Sequence, residues 1–326
     1  MKSTFIAWVH YHRRTELLAE HLGATLHFVQ YGESGKLVQA PFRYVIQAIQ
    51  TWRILRRERP TIVLVQNPPI FCALIAFLYA RGHGARYVID SHTGAFVSRR
   101  WRWSLRLHRL LSNRAVTTIV HNKSQEKIVE RWGCPYFVLA YTPGDYSFGE
   151  RFPLDGQFNV AVISSLRGDE PTDVVFEAAR HLPDVVFFFT GNPDCLPQQV
   201  LAQKPENCCM LGYLPYSRYV GLLHAADVVL TLTTRDHTLL MGGFETVAIG
   251  KPLITSDWPV LKDYFSLGTV HVPNTVEGVC HGVRQAQAEH DALQRDMLKL
   301  RDLLENEWKQ KLAELQGLLR GSRSVP

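Results

Sequence analysis

Residues 231–252, TLTTRDHTLLMGGFETVAIGKP, decide the fold. They continue a β-branched apolar run that starts near Asp227 and predicts a strand. A polar loop then leads to a short helix predicted over residues 244–249, which Gly250 and Pro252 end, because glycine is favoured after a helix and proline cannot continue one. The loop contributes five candidate ligand-binding residues: Asp236, His237, Thr238, Gly242 and Gly243.

This strand–loop–helix corner predicts a binding site for a phosphorylated ligand. The corner exposes free backbone N–H groups at one point, and such a point favours anions, phosphates above all. Glu245 lies just inside the helix. Its carboxylate only accepts hydrogen bonds, which suits the vicinal hydroxyls of a ribose. An ordinary corner of an α/β domain is the alternative interpretation.

The same stretch resembles the donor-binding segment of GT-B glycosyltransferases. In many of them two glutamates, separated by seven residues, bracket a glycine-containing loop, and the second holds the ribose of the sugar nucleotide. The sequence ETVAIGKP from Glu245 matches the second half of that pattern. His237 stands where the first glutamate would fall, and this departure from the pattern weakens an interpretation as a retaining enzyme.

Composition describes a soluble globular protein. The chain has 326 residues, of which 46% are hydrophobic and 20% charged, enough for two domains. The net charge of +6 suits nucleic acid, an anionic membrane or a phosphorylated ligand. Six cysteines without a C-x-x-C pair predict neither a zinc site nor a disulfide framework. We expect a cytoplasmic protein without a signal peptide or membrane span.

Strands and helices alternate along both halves of the chain. Continuous apolar strands separated by helices predict parallel sheets, and hence an α/β fold with two Rossmann-like domains facing a cleft, as in GT-B enzymes. We place the domains at residues 1–153 and 154–326, on either side of a linker within residues 141–156. In GT-B proteins the last helix packs back on the first domain. The tail of this chain is predicted to be helical, with one buried face formed by Leu293, Met297, Leu300 and Leu304.

Polar clusters follow three strands of the first half, where ligands of parallel sheets gather. His12, Arg13 and Arg14 are candidates for binding a phosphate of the acceptor, or they form a solvated helix start. Asn67, in the second cluster, is a further candidate for binding the acceptor. In the third, Asp90 and His92 lie two residues apart and point the same way, so that one could act as general base and the other orient it. The alternative is that both cap the following loop.

Two of these clusters carry a closer resemblance. VLVQNPP at residues 63–69 and YVIDSHTG at residues 87–94 resemble motifs of the chitobiosyldiphosphodolichol β-mannosyltransferases. Those enzymes use GDP-mannose, act on a polyprenyl diphosphate-linked sugar and invert the anomeric carbon. The resemblance implies the same type of chemistry here, with Asp90 and His92 as the catalytic residues.

Candidate donor-binding residues in the second half include Arg167 and Gly191, each of which follows a predicted strand. A cation at Arg167 would neutralise the diphosphate of the donor as it leaves. The alternative for Arg167 is an ion pair with Asp169 or Glu170. The chain has no Asp-x-Asp motif, and we expect neither a metal nor a cofactor.

A basic, tryptophan-containing segment at residues 97–113 is predicted to form one helix. Trp103, Leu107, Leu110 and Leu111 would share a face, with arginines beside it. Basic residues flanking such a face suit an anionic membrane interface, through residues 99–114, although a helix packed on the sheet is the alternative. The segment contains no nucleic-acid-binding module, so we expect no nucleic acid partner.

The sequence therefore predicts a glycosyltransferase of polysaccharide biosynthesis, a hexosyltransferase that is inverting and metal-independent. Its donor would be a nucleotide sugar, with GDP-mannose as the first candidate, and its acceptor a lipid-linked sugar or a glycan at the cytosolic face of a membrane. A sugar-nucleotide epimerase of the same fold is one alternative. A non-catalytic interaction protein on a GT-B scaffold, suggested by His237, is the other.

Overall fold

The computed structural model describes residues 2–32, 40–154 and 156–321. The chain divides into two compact units, Met1–Thr142 with Glu307–Pro326, and Pro143–Asn306. The division falls inside the predicted linker, and the end of the C-terminal helix belongs to the first unit. Among the described residues, every helix is too short or too polar to span a lipid bilayer.

The first unit is built on a six-stranded sheet in the order β2-β1-β3-β4-β5-β6, with all neighbouring strands parallel. The order reverses at the first strand, which has the second on one side and the third on the other. Such a reversal opens a crevice at the carboxyl ends of the two strands. The strands are β1 Ser3–Ala7, β2 Thr25–Phe28, β3 Ile62–Asn67, β4 Arg86–Ser91, β5 Thr118–Val120 and β6 Tyr136–Val138.

Helices cover both faces of this sheet, as its continuous apolar strands require. They are α1 Arg13–His21, α2 Ala40–Glu58, α3 Ile70–His83, α4 Thr93–Val97, α5 Leu105–Ser112 and α6 Lys123–Trp132, with a 3₁₀ turn at Arg102–Ser104. The turn between β3 and α3 contains two cis peptide bonds, Asn67–Pro68 and Pro68–Pro69.

The prediction of one continuous helix over residues 97–113 is wrong. The backbone becomes extended at Ser98, and the segment forms α4, the 3₁₀ turn and α5 instead. The break lets Trp101 pack into the core while Trp103 is 63% exposed. The apolar residues therefore do not share one face, because Leu111 is fully buried and Leu110 is exposed.

The second unit repeats the architecture with the order β12-β11-β10-β7-β8-β9, again all parallel. Here the order reverses at β7, so its crevice lies at the carboxyl ends of β7 and β10. The strands are β7 Phe158–Val162, β8 Val185–Thr190, β9 Cys208–Gly212, β10 Val228–Thr231, β11 Leu253–Ser256 and β12 Thr269–Val272.

The helices that follow are α7 Thr172–Arg180, α8 Gln198–Leu201, α9 Tyr216–Ala225, α10 Met241–Ile249, α11 Pro259–Tyr264, α12 Val276–Ala288 and α13 His290–Arg320. A 3₁₀ turn lies at Pro193–Cys195. The predicted apolar face of the tail is confirmed for Met297, Leu300 and Leu304, which are buried on α13.

The helix that carries Glu245 starts earlier than predicted, at Met241, so Gly242 and Gly243 lie in its first turn and not in the preceding loop. The N–H of Gly243 already donates to the carbonyl of Leu240 at 3.1 Å. A Cβ at Gly243 would come within 2.5 Å of the Phe265 ring. Close packing against the protein core therefore accounts for glycine at this position.

Candidate functional site

A cluster of ionisable side chains lies at the carboxyl edge of the first sheet; we call it the Asp90 cluster. It consists of Asp90, His92, His121, His12 and Arg14, brought together by the ends of β1, β4 and β5. The Asp90 carboxylate is at its centre and fully buried. Its Oδ1 lies 2.8 Å from His121 Nε2 and 3.9 Å from an Arg14 nitrogen, and its Oδ2 lies 3.2 Å from His92 Nε2.

The Asp90 carboxyl group is ionised. Burial alone raises its pKa, but His92, His121 and Arg14 together hold the pKa well below its usual value. An ionised carboxylate can only accept hydrogen bonds, so we assign a proton to the Nε2 atom of His92 and of His121. In the neutral form of the His92 ring, this tautomer leaves a lone pair on Nδ1. Because His92 is 16% exposed and Asp90 is not exposed at all, only the histidine of this pair can reach a substrate.

The other two histidines of the cluster are neutral. Burial is the main cause that lowers the pKa of His12 and of His121 to about 3. Both rings contact His92 edge-on, with ring centroids 4.6 Å away on each side. His12 also starts α1, since its Nδ1 accepts from the backbone N–H of Thr15. His92 thus lies between two uncharged rings that restrict its orientation.

Arg14 is a buried structural cation. Its guanidinium donates to the carbonyl oxygens of Leu139 at 2.7 Å and Ala140 at 3.3 Å, and to the hydroxyl of Thr142. Its Nε also lies 3.2 Å from His121 Nε2, the nitrogen to which we assign a proton, so this contact contributes no conventional hydrogen bond. These hydrogen bonds hold the Arg14 side chain in the interior of the first unit. From there its positive charge favours the charged form of Asp90.

The remaining predicted acceptor residues lie beside this cluster. Arg13 is partly exposed and pairs with Glu16 at 2.6 Å. Asn67 is buried, with its amide nitrogen 3.1 Å from His108 Nε2, and its carbonyl accepts from the backbone N–H of His92 at 2.8 Å. The structure therefore joins Asn67 to His92 through the backbone.

Asp90, His92 and His121 also form a group that could hold a metal ion, since their ligand atoms all lie within 4.8 Å of one another. Two histidines and a carboxylate are a common set of transition-metal ligands. The Arg14 guanidinium, 3.9 Å from Asp90, opposes a second cation. To bind a metal between them and Asp90, His92 and His121 would also have to lose the protons assigned to their Nε2 atoms. The arrangement therefore fits proton transfer better than metal binding.

The loop after β7 forms a cradle of hydrogen-bond donors in the second unit. The Glu170 carboxylate accepts from the hydroxyl of Ser164 at 2.6 Å, from the hydroxyl and N–H of Ser165 at 3.0 and 2.9 Å, and from the N–H of Arg167 at 3.2 Å. Gly191 lies against this loop with φ +91, and a Cβ there would meet the Ser164 carbonyl oxygen at 2.4 Å. Only glycine permits this approach. Gly191 thus supports the loop.

The side chain of Arg167 is exposed at this loop and makes no ion pair with any residue that the structure describes. Both partners considered for it are engaged elsewhere. Asp169 pairs with Arg235 at 3.2 Å, and Glu170 binds the loop. The Arg167 guanidinium is therefore available to an anionic ligand.

Glu245 is 9% exposed on α10, where two tyrosine hydroxyls donate to its carboxylate. Tyr219 donates to Oε2, and Tyr146 to Oε1 at 3.4 Å. Burial and the charge of Glu245 raise the pKa of Tyr219 well above its usual value, so this hydroxyl remains a donor. Sequence reasoning missed both tyrosines, because they lie far from Glu245 along the chain. They hold the carboxylate in a fixed position.

The loop before α10 and the first turn of that helix carry the other predicted donor residues. Asp236 and His237 pair with each other and remain partly exposed. The hydroxyl oxygen of Thr238 is buried and has no hydrogen-bond partner among the described residues. Gly242 packs against Ile163, since a Cβ there would come within 2.9 Å of that side chain. A ligand group could satisfy Thr238, whereas Gly242 serves packing.

A family model described as glycosyl transferase-like matches residues 172–316. The matched residues include Gly191, the loop of Asp236 and His237, and Glu245. No curated protein sequence matches the chain. Residues 172–316 therefore resemble a glycosyl transferase-like domain.

Solved structures share the architecture of nearly the whole chain. Sucrose-phosphate synthase from Thermosynechococcus elongatus has a TM-score of 0.76 at 11% identity, over 98% of this chain and 99% of that chain. HepE from Anabaena, in complex with UDP and glucose, has a TM-score of 0.75 at 12% identity, over 97% and 99%. UDP-GlcNAc 2-epimerase from Methanocaldococcus jannaschii has a TM-score of 0.56 at 14% identity, over 87% and 92%.

At sequence identities of 11–14%, the structural similarity shows the fold alone. It confirms the predicted α/β fold with two Rossmann-like domains of the GT-B type. Together with the family match, it confirms the prediction of a glycosyltransferase.

Proposed function

We propose that this glycosyltransferase moves a hexosyl group from a nucleotide sugar to a hydroxyl group of a lipid-linked or glycan acceptor, with inversion at the anomeric carbon. The observation that carries the proposal is the His92–Asp90 pair, in which a partly exposed histidine is oriented by a buried, ionised carboxylate. An inverting transfer needs a base on the acceptor hydroxyl and a cation on the leaving diphosphate.

In the proposed step, His92 Nδ1 removes the proton of the acceptor hydroxyl as its oxygen attacks the anomeric carbon. The bond from that carbon to the donor phosphate breaks, and the nucleoside diphosphate leaves with the bonding electrons. Asp90 holds the His92 ring through Nε2 and stabilises the imidazolium that forms. Asp90 is thus a positioning residue, and Arg14 and His121 keep it ionised.

We assign the donor to the second unit. Glu245 would accept hydrogen bonds from the ribose hydroxyls, and the exposed Arg167 guanidinium would neutralise the diphosphate. The Thr238 hydroxyl, which has no hydrogen-bond partner among the described residues, supports a ligand beside α10. The sequence motifs favour GDP-mannose, whereas the HepE structure holds UDP. The base and sugar of the donor are therefore the first thing to test.

We place the enzyme at the cytosolic surface of a membrane, with residues 99–114 as part of the contact. Trp103 and Leu110 are exposed in this segment, and so are the neighbouring arginines Arg99, Arg100, Arg102 and Arg106. Exposed tryptophan and arginine side chains suit the interface of an anionic bilayer.

The decisive experiment is a transfer assay after a thermal-shift panel of GDP- and UDP-sugars. A donor at about 100 times its Kd should stabilise the protein by ~2.7 kcal/mol. The anomeric configuration of the product is then read by NMR, and a β-linked product from an α-linked donor is expected. An α-linked product would refute the base assigned to His92.

The same assay tests the epimerase alternative, which the structural similarity to UDP-GlcNAc 2-epimerase supports. An epimerase converts the donor in the absence of any acceptor, whereas a transferase requires the second substrate. Epimerised donor in the acceptor-free control would overturn the proposed function.

A further inference from the structure

A small cavity of about 140 Å³ lies in the first unit, at the crevice between the ends of β1 and β3. Trp8 follows β1 on one side of the cavity, and Pro68 and Pro69 follow β3 on the other. Its remaining wall includes residues from α2 and from the segment before α5: Arg43, Tyr44, Gln47, Arg100 and Trp101. None of these residues belongs to the Asp90 cluster.

The side chain of Gln47 brings a buried acceptor atom to this cavity. Gln47 is 3% exposed, and its Nε2 donates to the carbonyl of Val29 at 2.8 Å. Its Oε1 is buried without a hydrogen bond in the part of the chain that the structure describes. Burying an acceptor without a donor is costly. A ligand hydroxyl in the cavity would supply the missing donor.

Two guanidinium groups line the same cavity. Arg100 donates to the hydroxyl of Tyr44 at 3.1 Å and lies over the Trp101 ring at 5.6 Å, while Arg43 lies over the Tyr44 ring at 5.2 Å. Aromatic stacking restricts both side chains, so that less freedom is lost when they bind a ligand. Guanidinium groups bind phosphate through charge-assisted hydrogen bonds.

The rim of the cavity is apolar and continuous with exposed aromatic surface. Trp101 contacts Phe71 and Trp103, with ring centroids 6.4 and 6.2 Å away. On α2, Phe42, Val45 and Ile49 are spaced by three and four residues and are 64%, 56% and 46% exposed.

The charge around this surface is strongly one-sided. Residues 40–125 contain fourteen Lys or Arg and only two acidic residues, although the whole chain has 36 basic and 30 acidic residues. Both acids are engaged, Asp90 in its cluster and Glu58 with Thr4 and His27. The surface therefore suits an apolar chain that carries an anionic head.

We propose that this cavity binds the head group of a lipid-linked acceptor, a sugar phosphate attached to an apolar chain. Arg43 and Arg100 bind the phosphate, Gln47 Oε1 accepts from a sugar hydroxyl, and the chain runs over Trp103 towards the exposed face of α2. The cavity lies at the same sheet edge as the proposed base, since Pro68 follows Asn67, whose carbonyl binds the His92 N–H at 2.8 Å. The assignment of the bound molecule as an acceptor rests on the proposed function.

Calorimetric titration tests this site without donor or catalysis. The probe is farnesyl diphosphate, compared with inorganic pyrophosphate and with farnesol. We expect farnesyl diphosphate to bind more tightly than either comparison ligand, because only it offers both the anion and the chain. Arg100→Ala should weaken that binding by about tenfold or more, the usual effect of removing a charge-assisted hydrogen bond. Arg99→Ala is the matched control, since Arg99 is exposed next to the cavity without lining it.

Three results would overturn the proposal. Equal losses in the Arg99 and Arg100 variants would mean a diffuse charge effect. Equal affinity for pyrophosphate and farnesyl diphosphate would mean an anion site with no role for the chain. No binding of farnesyl diphosphate would remove the site. In each case, donor binding and transfer measured separately would still decide the proposed function.

Discussion

His92→Gln is the sharpest perturbation of the proposed mechanism. In the His92–Asp90 pair only the His92 side chain reaches solvent. The substitution removes its imidazole ring and keeps a side chain of similar size. Loss of a general base should lower kcat by ~10²–10⁴-fold, which corresponds to roughly 2.7–5.5 kcal/mol of transition-state stabilisation at 1.36 kcal/mol per tenfold. Donor affinity should change little, because proton transfer belongs to the transition state.

His121→Gln is the matched control. His121 makes the shorter contact to Asp90, 2.8 Å, but it is buried, and a glutamine amide can still donate to the carboxylate. We expect this variant to keep most of its kcat, even where its stability falls. Single-turnover transfer and urea unfolding, measured on both variants, separate catalysis from folding.

The reasoning would be refuted by two results. One is a His92→Gln enzyme whose kcat stays within a few-fold of the parent. The other is an equal loss in the two variants at equal stability, which would mean that the histidines support the site only structurally.

Two further predictions concern donor binding and acid stability. Glu245→Gln should weaken nucleotide-sugar binding by roughly 10–150-fold, equivalent to 1.5–3 kcal/mol, whereas exposed Glu277→Gln should not; unchanged Kd would remove Glu245 from the site. Burial lowers the pKa of His108 and of His121 to about 3, below the ~6.5 of an unfolded chain, so the unfolded state binds more protons between these values. The free energy of unfolding should therefore fall as pH drops from about 6.5 towards 3, by up to ~1.4 kcal/mol per pH unit for each histidine. Urea unfolding at several pH values gives the slope of the unfolding free energy against pH. This slope should be smaller for His108→Gln and unchanged for the exposed control His181→Gln. Equal slopes for the two variants would contradict this origin of the pH dependence.

Much of the fold follows from local sequence. Central strands are continuous apolar runs, and these were predicted in both halves. This pattern does not reveal β9 and β12, which are the two edge strands of the second sheet. The burial of β12 alternates along its length, because an edge strand packs on one face only, and so it lacks a continuous apolar run.

The candidate sites were predictable only in part. Asp90 and His92 are two residues apart on one strand end, so the sequence shows their proximity directly. His121 and Arg14 approach Asp90 from distant parts of the chain, and no periodicity reveals such a contact. Tyr219 meets Glu245 for the same topological reason. Burial also decides the roles, since it leaves His92 as the residue of the pair that can reach a substrate.

In the proposed site, the Glu170 carboxylate competes with the diphosphate of the nucleotide sugar for the same hydrogen-bonding groups. The donors of the β7 loop already hold an anion, supplied by the chain itself. A diphosphate that uses these same groups must displace that carboxylate. Its affinity therefore reflects the difference in binding free energy between the diphosphate and the carboxylate, and not the full binding free energy of the loop for an anion. Such an exchange keeps the loop preformed between turnovers. In the proposed site it would also limit how tightly the product nucleotide is retained, and so would favour its release after sugar transfer.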